Sequence, residues 1–563
     1  MLSKVNARRA FYTISVFVLV ACPLIYIGNY AGDSQVHLIY GQNAAQGAFF
    51  EFNLGEKSAG VTSPGYMLLI SGFFKAAPDT WVPAMIKAVN LLFWYGLVLV
   101  VFMTAKTLLH SKSWAVVATL AAGLLPGSAY NATNGMENGI FAFFILVWIL
   151  VAMRSGWFSS AGSWRESYWT ELILGALLGL ACWFRPEGFV VAAIALGFRA
   201  VLSVNARPGF TSTMVRSAVF LAPFVVIAGG LAYFHWYQTD HLIPTSGSSR
   251  ILMSKLASDT FGAGPIFFSP KMIIRLAQYF PLTIPSLLAI WLVVKGKGDL
   301  RNSKEIIGFL IILFWTFFLL YSFVLGSVHL SRYIIFTMPA LVLLAAVGAK
   351  WAWDSWNWAE RLSLKYAPAL TAAVFAVALV SVYTAETNLR LKLDSQSSLW
   401  RSMQAPLERQ AFSDELFNQL GRPEKLPISI ALQEVQARFW LDQRFIVRSL
   451  DGRVDPALLG HADGDGIDHA GYLKERGVHF LLDTPVYNRN PHLWSLKRLD
   501  SLKPGEEVSQ GGVTFSRLDI DRSTLELASQ AEGSQWRWFA GEDGVIRLHW
   551  FLVDLIRLDY PGP

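Results

Sequence analysis

Long apolar runs separated by short polar segments fill the chain from about residue 10 to residue 384. Many approach the ~20 residues that an α-helix needs to cross a bilayer, and together they predict about eleven transmembrane helices. The predicted spans are 10–30, 84–108, 114–127, 136–153, 169–185, 187–204, 217–237, 276–295, 306–326, 332–350 and 366–385. The apolar run 66–76 is too short to cross, and we expect it to lie in the membrane interface or to re-enter.

The rest of the chain has the pattern of a soluble domain. Strand-like runs at 428–432, 444–448 and 478–482 alternate with helical or turn segments, which predicts a small α/β domain. The Trp-rich stretch 535–560 is expected to add strand, with its tryptophans in the core or on a sugar-stacking surface. The sequence therefore predicts a polytopic α-helical membrane domain, 1–387, followed by a soluble α/β domain, 388–563.

Basic residues gather in alternate loops and predict the orientation. One set of loops carries, for example, Lys4, Arg8 and Arg9, then Lys106 and Lys112, and later Lys295 and Lys297. Because cytoplasmic loops are enriched in Lys and Arg, this set is expected on the cytoplasmic side. An odd number of spans then places the C-terminal domain in the periplasm. We expect a multi-pass protein of the bacterial inner membrane.

Composition and motifs exclude several classes. Charged residues make up only 15% of the chain and hydrophobic residues 53%, whereas soluble proteins carry about 25% charged residues. The net charge of +7 is explained by the topology of the loops, so we expect no nucleic-acid partner. Cys22 and Cys182 lie in apolar runs and indicate no disulfide framework. Phosphate-binding, dinucleotide-binding and zinc-binding motifs are absent from the sequence, which argues against ATP-driven pumping and zinc hydrolysis.

Ionisable residues concentrate in or beside the other set of loops, the predicted periplasmic ones. Charged groups at a membrane boundary are costly unless they are paired or functional. Their convergence on one face therefore predicts an outward-facing site. The residues concerned are Asp33, His37, Glu51, Glu56, Lys57, Glu137, Arg185, Glu187, His235, Asp240, Arg250, Lys255, Asp259, His329 and Arg332.

Asp33 is the leading candidate for a catalytic residue. It opens the first predicted periplasmic loop, 31–83, directly after the first span. A carboxylate at the lipid–water boundary suits general-base catalysis. The alternative is a helix N-cap, because Asp caps helices well.

The same loop continues with Asn43, the segment Phe52-Asn-Leu-Gly-Glu56-Lys57, and Gly60-Val-Thr62-Ser-Pro-Gly65. These segments resemble the first periplasmic loop of the GT-C superfamily of polyprenyl-phosphate-sugar glycosyltransferases, and most closely the group that contains the mycobacterial arabinofuranosyltransferases. That group commonly opens the loop with two acids, whereas this chain has Gly32 before Asp33. The single carboxylate weakens the case for a divalent cation held by a pair, so no cofactor is firmly predicted and no metal ligand is assigned.

The resemblance continues in order through the membrane region. Asn134 to Glu137, Arg185 to Gly188, His241 to Arg250 and Ser331 to Pro339 are each similar to a segment of that family. The resemblance implies a polyprenyl-phosphate-linked sugar donor and a periplasmic glycan or glycoprotein acceptor. Arginine binds phosphate bidentately and stays charged. Three arginines are therefore candidates for the donor phosphate, namely Arg250, Arg185 and Arg332.

Supporting roles are expected for His37, Asn43, Glu56, Lys57, Thr62, Glu137, Glu187 and His329. Each candidate also has a structural interpretation. Glu137 can cap a helix or pair with Arg185, the arginines at span ends can be interfacial anchors, and Arg250 can be a solvated loop charge. His37 and His329 more often serve local hydrogen bonding.

The sequence thus predicts a glycosyltransferase that moves a sugar from a polyprenyl phosphate to an acceptor hydroxyl, with Asp33 as general base. The resemblance implies arabinofuranose as the sugar. The competing hypothesis is a flippase or binding protein for lipid-linked glycans, which would share the basic outer rim and need no base.

Overall fold

The structure is a computed structural model of the 563-residue chain. It describes residues 4–24, 32–125, 128–158, 168–204, 210–242, 244–249, 280–295, 304–321, 334–355, 405–424, 426–432, 438, 441–450, 454–455, 457–462, 467–483, 499, 502–518 and 554–559.

The N-terminal two thirds of the described chain are almost entirely helical. The helices are α1 (Lys4–Leu24), α2 (Gly32–Ala45), α3 (Pro64–Ala76), α4 (Val82–Leu109), α5 (Lys112–Leu124), α6 (Ser128–Asn131), α7 (Asn138–Arg154), α8 (Tyr168–Phe184), α9 (Glu187–Val204), α10 (Phe210–Thr239), α11 (Phe280–Lys295), α12 (Lys304–Leu319) and α13 (Met338–Ser355). A short 3₁₀ helix, Ile335–Thr337, precedes α13. A small hairpin of β1 (Glu51–Asn53) and β2 (Glu56–Lys57) separates α2 from α3.

Three of the described helices are long and apolar enough to cross a membrane, at Val82–Leu109, Thr211–Thr239 and Ile335–Ser355. The predicted helical membrane region is thereby confirmed, but the count of eleven spans is not. Several predicted spans are short apolar helices. α5, for example, has 13 residues, about 20 Å at 1.5 Å per residue against a ~30 Å hydrocarbon core. The predicted span 366–385 lies outside the described residues.

The chain forms two compact units. Unit 1 comprises Met1–Ile27, Lys87–Leu231 and Phe267–Leu393, and unit 2 comprises Gly28–Ile86, Ala232–Ile266 and Asp394–Pro563. The first loop, which the sequence pattern assigns to the membrane domain, thus groups by contact with the C-terminal region.

In unit 1, small residues let helices approach closely. A Cβ on Gly348 of α13 would lie 1.9 Å from the carbonyl oxygen of Pro285 in α11. A Cβ on Gly175 of α8 would lie 2.0 Å from the carbonyl oxygen of Phe220 in α10. Only glycine fits at such contacts, which are a common means of packing helices where no hydrophobic effect drives them together.

In unit 2, the described residues of the C-terminal region form a six-stranded sheet, which confirms the predicted sheet domain. Its strands are β3 (Ile428–Leu432), β4 (Phe445–Ser449), β5 (Phe480–Asp483), β6 (Glu507–Gln510), β7 (Val513–Arg517) and β8 (Asp554–Asp559), in the spatial order β4-β3-β5-β8-β7-β6. β3 pairs in parallel with both β4 and β5, and the other pairs are antiparallel. Most of the Trp-rich stretch lies outside the described residues, but β8 falls inside it.

Helices α14 (Ala405–Gln419), α15 (Ala457–Gly460) and α16 (His469–Glu475) accompany this sheet. Tyr472 and Leu473 of α16 are fully buried and belong to one apolar cluster with Leu481 and Phe515 of the strands. The short α16 is therefore held by its packing on the sheet, since a helix of two turns is not stable alone.

Candidate active site

Asp33 lies in the first turn of α2 and is half-buried. It is the second residue of the helix, and residues 25–31 before it lie outside the described part of the chain. The N-terminal end of a helix favours a negatively charged side chain. His37 follows one turn later, is buried, and packs edge-on against Tyr66, with ring centroids 5.3 Å apart.

Asn43 ties the C-terminal end of α2 to the hairpin. Its Nδ2 donates to the carbonyl oxygens of Glu51 at 2.9 Å and Phe52 at 3.2 Å. Gly55 turns the hairpin with φ +84°, a conformation that favours glycine. Lys57 pairs with Glu51 at 3.1 Å, at the solvent-exposed side of the hairpin. These contacts assign Asn43 and Lys57 to holding the loop in shape.

Two residues of the hairpin motif bind the C-terminal sheet within unit 2. Asn53 Oδ1 accepts from the backbone N–H of Val447 at 2.9 Å, and its Nδ2 donates to the carbonyl oxygen of the same residue at 2.9 Å. Glu56 receives two hydrogen bonds from Arg448, at 2.5 and 2.7 Å. The sequence offered no signal for these partners, which lie nearly 400 residues away.

Arg448 belongs to a larger ion network. Its Nη1 lies 3.6 Å from Asp455, which also accepts from Arg476 at 2.7 and 3.0 Å and from the phenol of Tyr472 at 3.0 Å. Burial raises the pKa of the Tyr472 phenol, and the Asp455 carboxylate raises it further. Tyr472 therefore remains a neutral donor that fixes Asp455 beneath Arg448.

Hydrogen bonds also fix the part of the first loop that follows the hairpin. Ser58 donates to the carbonyl oxygen of Val454 at 2.5 Å, and the hydroxyl of Tyr40 lies 2.6 Å from Ser58 Oγ. Thr62 is half-buried, and its hydroxyl lies 3.5 Å from that of Ser63. Nothing in these contacts gives Thr62 more than a local role.

In unit 1, a buried charge cluster joins the ends of three helices. Arg185, in the short connection between α8 and α9, donates to Glu187 at 2.5 and 3.1 Å and to Glu137, just before α7, at 3.1 Å. It also donates to Asn138, and Tyr321 donates to Glu187. Two carboxylates surround one guanidinium, which supports the predicted Glu137–Arg185 pair and favours a structural role for Arg185.

Lys87 is a candidate that the sequence interpretation missed. It lies near the start of α4, and only 1% of its surface is exposed. Three residues later, the side chain of the buried Asn90 donates to the carbonyl oxygen of Met136 at 3.1 Å, next to the Glu137 segment. The signal was available: lysine inside an apolar helix is costly and commonly functional.

A small apolar cavity in unit 1 lies beside the charge cluster. Trp94 and Leu97 of α4, Asn138 of α7 and Met338 of α13 are among its lining residues. Asn138 thus contacts both the cavity and Arg185. The lining is mostly apolar, and Ser128 and Asn131 add polar side chains beside Asn138.

Five of the predicted residues lie outside the described residues, namely Arg250, Lys255, Asp259, His329 and Arg332. Within the described part of the chain, no group of three or more His, Cys, Asp or Glu side chains is placed to hold a metal ion. Asp33, His37, Asn43, Glu56, Lys57 and Thr62 belong to unit 2, whereas Glu137, Arg185 and Glu187 belong to unit 1.

No family model matches the chain, and no curated protein matches it. Among solved structures, it is similar to the oligosaccharyltransferase of Archaeoglobus fulgidus in the apo form, with 13% identity over 85% of this chain and 71% of that chain and a TM-score of 0.49. It is also similar to ArnT from Cupriavidus metallidurans bound to undecaprenyl phosphate, with 13% identity, 88% and 96% coverage and a TM-score of 0.47. At these scores the likeness carries no argument about function.

Proposed function

We propose that the chain is a glycosyltransferase of the GT-C type, which transfers a sugar from a polyprenyl phosphate to a hydroxyl group of a periplasmic glycan or glycoprotein. The proposal rests on where the motif segments fall. Asp33 lies in the first turn of α2, Glu137 immediately precedes α7, and Arg185 lies between α8 and α9. Polar motifs that recur at helix ends, in family order, are what a transferase acting at the membrane surface requires.

Asp33 is proposed as the general base. The carboxylate takes the proton of the acceptor hydroxyl, the acceptor oxygen bonds to the anomeric carbon, and the bond from that carbon to the phosphate oxygen breaks. Polyprenyl phosphate then leaves with the electron pair of the broken bond. A base must come within about 2.6–3.2 Å of the oxygen whose proton it accepts. We propose that the first turn of α2 brings the Asp33 carboxylate to this distance.

The departing phosphate needs positive charge. Lys87 is the strongest described candidate, because its amine is buried near the start of α4 and a neighbouring anionic phosphate would favour its protonated form. Arg250 and Arg332 remain candidates from the sequence, while Arg185 is assigned to the charge cluster with Glu137 and Glu187. A fixed cation at the leaving group stabilises the charge that develops in the transition state.

The donor sugar is proposed to be arabinofuranose, on the resemblance of the first loop alone. A single base is sufficient for inversion at the anomeric carbon, whereas retention requires a second nucleophile. The anomeric configuration of the product therefore also tests the single-base mechanism.

The test is a transfer assay on the purified protein in lipid nanodiscs, with synthetic undecaprenyl-phosphate sugars including arabinofuranose. Release of undecaprenyl phosphate together with a glycosylated acceptor supports the proposal. Donor binding with no turnover for any sugar and acceptor of the panel favours the flippase or binding protein instead. Mass spectrometry of lipids that co-purify with the protein identifies the sugars that belong in the panel.

A further inference from the structure

The hairpin of the first loop is joined to the edge of the C-terminal sheet through the side chain of Asn53. Asn53 exchanges two hydrogen bonds, both 2.9 Å, with the backbone N–H and carbonyl of Val447. A neighbouring antiparallel strand makes the same pair of bonds to one residue. Val447 lies in β4, which stands at one end of the sheet among the described strands. The side chain of Asn53 therefore occupies the hydrogen-bonding edge of β4.

The next contact is a fork between two charged groups. Both Nη atoms of Arg448 bind both carboxylate oxygens of Glu56, at 2.5 and 2.7 Å. The Arg448 side chain is 8% exposed and that of Glu56 34%. Bidentate charge-assisted pairs fix orientation as well as distance. Asp455 lies 3.6 Å from Nη1 of Arg448 and adds a second carboxylate to the guanidinium.

A third contact reaches α2 directly. Tyr40 of α2 is fully buried, and its hydroxyl meets Ser58, which in turn donates to the carbonyl oxygen of Val454. Asn43, on the next turn, binds the hairpin backbone at Glu51 and Phe52. The C-terminal half of α2 is thus fastened both to the hairpin and, through Ser58, to the C-terminal region.

Asp33 lies on the same helix. α2 has 14 residues and spans about 20 Å, so its first turn moves with its last. Whatever orients Tyr40 and Asn43 therefore also orients the carboxylate of Asp33.

We propose that Arg448 is a positioning residue for Asp33, and that the C-terminal domain serves to hold the first loop in its catalytic orientation. This proposal rests on the proposed function. Arg448 does not touch the substrate. It acts through Glu56, the hairpin and α2, and Asn53 secures the same hairpin on β4.

The expected effect of Arg448→Ala is a loss of turnover with little change in donor affinity. A displacement of about 1 Å at a catalytic group can cost on the order of 100-fold, so we expect kcat to fall about 10- to 100-fold while the KM for the donor stays within about twofold. Hydrogen exchange of peptides from α2 should become faster. Arg448→Lys keeps the charge without the fork and should give an intermediate kcat.

Arg444→Ala is the matched control. Arg444 immediately precedes β4 and pairs with Asp414 and Asp442 at 2.5 Å, and none of its described ion pairs or hydrogen bonds reaches the first loop. It should leave both kcat and exchange in α2 unchanged. A double-mutant cycle of Glu56→Ala and Arg448→Ala should be strongly non-additive in kcat, because each variant removes the same fork.

The measurements are transfer kinetics and hydrogen-exchange mass spectrometry of the full chain in nanodiscs. Slower turnover and faster exchange in α2 for Arg448→Ala, and neither for Arg444→Ala, support the proposal. Normal kcat in Arg448→Ala, or unchanged exchange in α2, overturns it and leaves the proposed function standing. If the wild type transfers no sugar, the proposed function has failed, and exchange in α2 still decides whether Arg448 orients this helix. Should Arg448→Ala not fold, kcat and hydrogen exchange in α2 are measured on the milder variants Glu56→Gln and Arg448→Lys, with the same outcomes supporting or overturning the proposal.

Discussion

Arg185 and Glu187, separated by a single proline, form a buried ion pair in which Nη2 lies 2.5 Å and Nε 3.1 Å from Oε1. Glu137 supplies a second carboxylate to the same guanidinium at 3.1 Å. The pair therefore joins the start of α9 to the residue that precedes α7. The guanidinium of Arg185 therefore helps to hold the starts of α7 and α9 together.

Arg185→Ala should accordingly destabilise the protein. Removing one partner of a buried ion pair costs about 3–5 kcal/mol, because the remaining charges stay buried without compensation. We expect less folded protein in the membrane and a lower melting temperature of the purified chain. The control is Arg154→Ala at the exposed end of α7, which should behave like the wild type. A stable Arg185→Ala protein that has lost donor affinity would instead return Arg185 to the phosphate site.

Lys87→Ala should weaken donor binding. A hydrogen bond to a charged group contributes about 1.5–3 kcal/mol, which corresponds to a loss of roughly 10- to 100-fold in affinity for a polyprenyl-phosphate sugar. Lys87→Arg should recover part of it. Binding is measured by microscale thermophoresis in nanodiscs, with Lys106→Ala, at the exposed other end of α4, as control. Unchanged affinity in Lys87→Ala would exclude Lys87 from the phosphate site.

His469 should make the C-terminal region sensitive to acid. Burial lowers the pKa of His469 to about 4, while hydrogen bonds to the backbone of Leu450 and Ile467 act in the opposite direction. An unfolded histidine has a pKa of about 6.5. Between these values the unfolded chain binds a proton that the folded chain does not, so stability is complete above pH ~6.5 and falls as the pH decreases to ~4.

The size of the effect is roughly 3 kcal/mol, from 1.36 kcal/mol for each unit of pKa difference. Thermal unfolding of the purified protein at pH 7 and pH 4.5 measures it. His469→Gln cannot titrate, so the difference in melting temperature between the two pH values should become smaller. An identical pH dependence in both proteins would show that His469 does not contribute.

The loop charges predict which way the chain is oriented in the membrane, and reporter fusions test this prediction. A C-terminal alkaline phosphatase fusion should be active and a green fluorescent protein fusion dark, because the C-terminal domain is predicted to be periplasmic. The reverse pattern would shift the span count by one and move the proposed site to the other side of the membrane.

Local patterns in the sequence were sufficient for much of the fold. The predicted strand 428–432 coincides with β3, and the runs 444–448 and 478–482 differ from β4 and β5 by at most two residues. These short apolar runs are bounded by polar or turn residues, so their limits are visible locally. Two of these runs, β3 and β5, lie inside the described sheet, whereas β4 lies at one end of it.

The contacts of the first loop were not predictable in the same way. Asn53 and Glu56 are visible as a turn motif, but their partners Val447 and Arg448 are 394 and 392 residues away. No local pattern encodes such a pairing. Lys87 could have been predicted as a functional residue, because a lysine in an apolar helix is itself a signal. It lies within the predicted span 84–108, where the apolar residues dominate the pattern.

The most direct test of the account is the transfer rate of Asp33→Asn, which removes the base and keeps the size of the side chain. Asp79→Asn is the control, since Asp79 belongs to the same loop, is exposed, and accepts from Gln42 at 3.0 Å. We expect Asp33→Asn to fold, to bind donor normally and to transfer sugar about 10²- to 10⁴-fold more slowly, while Asp79→Asn is unaffected. Transfer by Asp33→Asn at nearly the wild-type rate would contradict the assignment of Asp33 as the general base.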